Sequence, residues 1–202
     1  MTSAIVAYPI LSEADRWWIE SFRTKHDPQS TRLPAHFTLV FPTDATPRLL
    51  EAELETAVAQ WQPIRFAIRR AEVVRDAVGG GAHVFLTPDD GSAEIAALHD
   101  RLYAGMLRPH LRADVPFIPH VTIAAAPDQL AGEYLASELD MGARVVRGTI
   151  RAIDLVDVGQ PLVRTIRSYP LGITRSGGDS PCPSSVSRCG RSFTSVEAAP
   201  CS

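Results

Sequence analysis

The chain has 202 residues, 45% of them hydrophobic, which gives enough apolar area for one globular domain or two small lobes sharing a core. Its formal charge is −3, and residues 1–173 carry −4 once the tail's three arginines and two acids are set aside, so the basic excess of a broad duplex-binding surface is missing. All three cysteines, Cys182, Cys189 and Cys201, follow residue 173, which excludes thiol catalysis, zinc–thiolate sites and structural disulfides from the rest and fits a reducing cytoplasm. The start, Met1-Thr2-Ser3-Ala4-Ile5-Val6, lacks a basic region followed by a long apolar stretch, and no apolar run approaches the roughly 18 residues that span a bilayer. A soluble, unprocessed monomer without a membrane partner is expected.

In chain order, Ala4 to Pro9 reads as a short buried strand, and Ser12 caps a helix carrying Trp17, Trp18, Ile19 and Phe22 that should stop before Pro28. Pro34 and Pro42 bracket a strand over Ala35 to Phe41. Pro47 begins a second helix, with Leu49, Leu50, Leu54, Ala57, Val58 and Trp61 at helical spacing, and Pro63 starts an extended run through Phe66, Ile68 and Val73. After Gly79-Gly80-Gly81 a similar order begins again. It comprises a strand over Ala82 to Thr87, a helix capped near Ser92 with Ile95, Leu98, Leu102 and Met106, and a strand near His120. Asp128 to Leu139 reads as helix, Arg144 to Val158 as a strand rich in Val and Ile, and Leu162 to Tyr169 as a closing hairpin strand after the Gly159-Gln160-Pro161 turn. Two related halves, about 1–78 and 82–172, thus form one domain over 1–172. The Ser-, Gly- and Pro-rich segment 173–202 shows no periodicity and is expected to be disordered.

Two strings stand at matching places in these halves, His36-Phe37-Thr38-Leu39 and His120-Val121-Thr122-Ile123. On a strand, side chains alternate with period two, so each imidazole shares a face with the hydroxyl two residues on, while the apolar residues point the other way. Each copy therefore offers one proton carrier and one phosphate hydrogen bonder. Brought together across a cleft, the two would flank a phosphodiester as a metal-free acid and base, able to move a proton on each side of an in-line displacement.

With these motifs the sequence resembles the two-histidine (2H) phosphoesterase superfamily, in its bacterial 2'-5' RNA ligase or RNA 2',3'-cyclic phosphodiesterase branch. The resemblance spans residues 4–172. It includes a proline one or two residues before each histidine, the Leu39-Val40-Phe41 run closed by Pro42, and the ending Tyr169-Pro170-Leu171-Gly172. It implies a bilobed α+β fold with pseudo-twofold symmetry, in which antiparallel sheets line a central cleft and helices lie outside. It further implies His36 and His120 as the catalytic pair, Thr38 and Thr122 as holders of nonbridging phosphate oxygens, no metal or other cofactor, and a nucleotide or RNA-end substrate. For hydrolysis of a 2',3'-cyclic phosphate, His120 would activate water and His36 would protonate the departing oxygen; ligation would exchange the roles. Many relatives carry an arginine or aromatic residue shortly after the second motif, where this chain has Ala124-Ala125-Ala126. Arg69, Arg151 or Arg164 could supply the missing contact. The same departure motivates one alternative, a binding module that holds a phosphorylated nucleotide or RNA end without turnover; 2'-5' ligation as the main activity is a further alternative that needs the same residues and differs in the partner accepted.

The other residues of note read more plainly. His26, His99 and His110 are expected at the surface, His83 in a structural role on its strand, with a place facing the cleft as the alternative, and Trp17, Trp18 and Trp61 in the core. Gly79-Gly80-Gly81 lacks the lysine of a phosphate-binding loop and reads as a hinge or turn.

Overall fold

A computed structural model describes residues 2–76, 79–159 and 161–172. The expected disorder of residues 173–202 lies outside the described residues.

Among the described residues four α-helices form, three of them behind a side chain that caps the start. Helix α1 (Glu13–His26) begins where the Ser12 hydroxyl accepts from the Asp15 N–H at 3.1 Å, and it ends at Asp27, one residue before Pro28. Thr46 caps α2 (Pro47–Val58), whose first position is Pro47, and Asp128 caps α4 (Gln129–Leu139) by accepting from Ala131 N at 2.8 Å. The start of α3 (Ser92–Tyr103) differs from expectation. Its N-cap is Gly91, with φ +80° and no side-chain cap, and Ser92 lies inside the helix. A β-carbon at position 91 would stand 2.4 Å from the Arg65 carbonyl oxygen, so glycine is required by both conformation and space.

The strands build two antiparallel sheets. One has the order β3 (Phe37–Thr43), β1 (Ser3–Ala7), β8 (Ala152–Asp157), β9 (Arg164–Pro170). The other has the order β2 (Ile10–Leu11), β7 (Val146–Ile150), β4 (Ile64–Arg75), β5 (Ala82–Asp90), β6 (Val121–Ala126). The unit β1-α1-β3 in the first sheet is repeated as β5-α3-β6 in the second, and in both the strand carrying the histidine–threonine motif lies at the sheet edge. Each sheet also draws strands from both halves of the sequence, because β8 and β9 complete the first while β2 and β4 join the second.

Helices α1 and α4 pack on the five-stranded sheet and α2 on the four-stranded one, while α3 packs on β3 of one sheet and on β4 and β5 of the other. Their apolar stripes join the sheets in one core that includes Ile5, Leu39, Leu50, Leu98, Phe66, Val84 and Ile123. This is the α+β arrangement of two antiparallel sheets with helices outside. No helix among the described residues is long and apolar enough to cross a membrane.

Several elements depart from their expected form. The strand expected over Ala35 to Phe41 is displaced to Phe37–Thr43 and runs through Pro42, which an edge strand tolerates because one side of it makes no ladder. The single strand expected from Arg144 to Val158 breaks at Arg151, and its two parts, β7 and β8, join different sheets. Strand β5 extends to Asp90, three residues beyond Thr87. Gly79-Gly80-Gly81 lies in the connection between β4 and β5, which are adjacent strands of one sheet. Met106 falls beyond α3 and Trp17 sits on the outer face of α1, both largely exposed at 70% and 72%; Trp18 and Trp61 pack against the core.

Candidate active site

The two motif strands share an irregularity that follows from their register. Across β1, Val6 pairs with Thr38 and Ile5 with Val40, so Leu39 has no partner of its own. Across β5, Phe85 pairs with Thr122 and Val84 with Ala124, which leaves Ile123 in the same position. Each strand thus carries an extra residue directly after its threonine, and such bulges bend a strand and re-aim its side chains. The alternation from histidine to threonine precedes the bulge and is intact. Phe37 and Leu39 are buried on one face while His36 and Thr38 are partly open on the other, and Val121, Ile123, His120 and Thr122 repeat the pattern.

Both histidines stand one residue ahead of their strands and are held alike. His36 donates its Nδ1–H to the Pro34 carbonyl at 2.9 Å, and His120 donates to the Ile118 carbonyl at 2.5 Å. A carbonyl can only accept, so in the neutral ring the hydrogen sits on Nδ1 and the Nε2 lone pair is left for other work.

The cleft between the sheets holds two adjoining cavities of about 450 Å³ and 440 Å³. His36 lines the first and His120 the second, while Thr38, Thr122 and His83 border both. The four motif residues therefore converge on one cleft. Burial pushes the His36 imidazole below its ordinary pKa, Arg23 adds to that, and the Pro34 hydrogen bond with the Asp27 and Glu20 carboxylates opposes it. Burial likewise pulls His120 down to about 4, assisted by the nearby His36 and His83 rings and opposed by the Ile118 hydrogen bond. Part of that burial comes from Phe85, whose ring stacks on His120 with centroids 3.5 Å apart.

A buried arginine secures the approach to His36. Arg23, on the last turn of α1, is 1% exposed; its Nε donates to Asp27 Oδ2 at 3.0 Å, Nη1 to Glu20 Oε2 at 2.9 Å, and Nη2 to the Leu33 carbonyl at 3.1 Å. Glu20 in turn accepts the Ala35 N–H at 2.6 Å. The segment leading into the first motif is thus tied to α1 by charge-assisted hydrogen bonds.

His99 corrects the expectation of a surface residue. It is 3% exposed, its Nδ1 donates to the Leu39 carbonyl at 2.8 Å, and its ring stacks on Phe117 at 3.7 Å. Together with the Tyr103 hydroxyl, which accepts from Phe41 N at 3.3 Å, it satisfies the open edge of β3. His26 and His110 are partly buried, the latter sharing a hydrogen bond with Thr43 Oγ1 at 2.9 Å.

The arginines at the cleft are not those the sequence suggested. Arg69 pairs with Asp90 at 2.9 Å on the exposed surface, and Arg151 and Arg164 line neither cavity. Arg32 lines the His36 side, while Arg75 and Arg112 line the His120 side. Arg32 donates to the carbonyls of Pro161 and Val158 at 3.0 and 3.2 Å, and Arg112 grips Asp114 through two nitrogens at 2.9 and 2.6 Å. No feature of sequence spacing brings these three side chains together; the fold does. Among the described residues, no group of three or more His, Cys, Asp or Glu is placed to hold a metal ion.

One histidine–threonine pair at the edge of each sheet, facing a common cleft, is the design of the two-histidine phosphoesterases. The chain belongs to the family described as the 2'-5' RNA ligase superfamily, whose model matches residues 10–160 and so spans both motifs. Solved structures share the fold at low identity. TT0787 of Thermus thermophilus is 18% identical over 85% of this chain and 98% of its own, with a TM-score of 0.58. E. coli LigT complexed with 3'-AMP is 16% identical over 86% and 100%, with a TM-score of 0.52. Usb1 of Kluyveromyces marxianus is 11% identical over 84% and 98%, with a TM-score of 0.50. A search of curated protein sequences found no match.

Proposed function

We propose that this protein is a metal-independent phosphodiesterase that hydrolyses a 2',3'-cyclic phosphate, at an RNA end or on a nucleotide, acting as a monomer in the cytoplasm. The observation that carries the reading is the convergence of the two motifs on one cleft, with each imidazole anchored through Nδ1 to a carbonyl two residues upstream. That anchoring suits Nε2 to proton exchange with substrate.

In the proposed reaction the diester sits between Thr38 and Thr122, whose hydroxyls hold its nonbridging oxygens. His120, neutral at physiological pH because burial holds it at about 4, accepts a proton from water through Nε2 as the water oxygen bonds to phosphorus. The opposite phosphorus–oxygen bond breaks, and the departing ribose oxygen takes a proton from Nε2 of His36. The negative charge of the diester favours the protonated form of His36 once substrate is bound, offsetting the depression caused by burial. E. coli LigT is described with 3'-AMP bound, and a 3'-monoester is one of the two products that opening such a ring can give.

The small side chains after the second motif favour a second reading. Ala125 lines the first cavity and brings no charge to it, which suits a site that retains a phosphorylated nucleotide or RNA end without turnover; 2'-5' joining needs the same residues as hydrolysis and differs in the partner accepted. Phosphorus NMR separates these. Incubation of the protein in EDTA with nucleoside 2',3'-cyclic phosphates should convert the ring signal to a single monoester isomer; an unchanged spectrum would favour retention or joining.

A further inference from the structure

Three side chains border both cavities of the cleft, and only two of them belong to the motifs. The third, His83, comes from β5, where its cross-strand partner is Ala125, whose methyl group leaves the imidazole room. Its side chain is 33% exposed. Nδ1 is buried without a hydrogen-bond partner, which leaves Nε2 as the ring nitrogen that can meet a ligand. That nitrogen stands 3.5 Å from Asp76 Oδ2, within ion-pair range but beyond the length of a good hydrogen bond. The ring lies parallel to Phe85 at 5.9 Å and 9°, and Phe85 stacks on His120 at 3.5 Å and 15°, so the three rings form a row along one wall.

We propose that His83 is a substrate-contacting residue, donating its Nε2–H to a nonbridging oxygen of the phosphate held between Thr38 and Thr122. The assignment deepens the proposed function and rests on it for the position of the phosphate. A hydrogen on Nε2 leaves Nδ1 without one in the neutral ring, which suits a nitrogen buried without a partner.

The test is a titration of the wild-type, His83→Phe and His83→Ala proteins with inorganic phosphate, following the histidine ring resonances and recording the thermal midpoint of each. The phenylalanine variant keeps a ring beside Phe85 and lacks the donor. Phosphate should move the His36, His83 and His120 signals of the wild type, and its affinity should fall about tenfold in both variants, the size expected for one charge-assisted hydrogen bond. Equal affinity in a variant that keeps the wild-type midpoint would overturn the assignment, as would a His83 signal in the wild type that phosphate leaves unmoved; the latter needs no variant. Turnover of a cyclic diester with no dependence of phosphate affinity on His83 would remove His83 alone. Phosphate affinity that depends on His83 without turnover would remove the proposed reaction alone.

Discussion

The imidazole of His120 lies against the phenyl ring of Phe85 with centroids 3.5 Å apart and planes inclined by 15°. A neutral ring accepts such a neighbour readily, whereas an imidazolium loses water on the covered face. The stacking therefore contributes to the burial that holds His120 at about 4. Phe85→Ala admits water to that face, and the His120 titration followed by NMR should move up towards the ordinary value of about 6.5. A midpoint that stays where it was would show that Phe85 has no part in the depression.

The pH dependence of kcat/KM on a cyclic diester follows from the same two rings. The base must be neutral, which requires a pH above about 4 for His120. The acid must be protonated, which requires a pH below the depressed value of His36 in the free protein, itself under about 6.5. The profile should be a bell with its maximum on the acid side of neutrality, between about 4 and 6.5. A maximum in alkaline solution would be incompatible with this pair of groups.

Stability should respond to pH in a defined direction. Because the folded protein holds His120 at about 4 and the unfolded chain at about 6.5, the unfolded chain takes up a proton first as pH falls. The contribution is fully present above about pH 6.5 and is lost progressively down to about pH 4, and His36 acts in the same direction. Urea unfolding at pH 7 and pH 4.5 should show a smaller loss for His120→Gln than for the wild type. Equal losses would mean that His120 titrates alike in both states.

Much of this site is legible from residue order, and the remainder depends on the fold. The faces of His36, Thr38, His120 and Thr122 follow from a period of two, and the starts of the first two helices from the Ser12 cap and from Pro47. The break at Arg151 is not legible, because one long strand and two strands in different sheets both read as a run of Val and Ile. His99 looks like a surface histidine until the Leu39 carbonyl of an edge strand is seen to need a donor. Arg32, Arg75 and Arg112 reach the cleft from three separate segments, and His83 reaches it only because β5 pairs with β6.

Arg23 gives a test of how the first motif is supported. Its guanidinium neutralises Asp27, whose side chain is 2% exposed, and removal by Arg23→Ala leaves that carboxylate buried without its counter-charge. The expected cost is about 3–5 kcal/mol in urea unfolding. A loss within about 0.5 kcal/mol, the size typical of a surface substitution, would contradict the role assigned to it.

The central claim is that His36 and His120 act as an acid and base pair on one phosphodiester. Its most direct test is kcat/KM for a nucleoside 2',3'-cyclic phosphate in EDTA, measured for the wild type, His36→Ala and His120→Ala at matched thermal midpoints. Each variant should be slower by about a hundredfold or more. A variant at either position that turns over the substrate at the wild-type rate would contradict the claim.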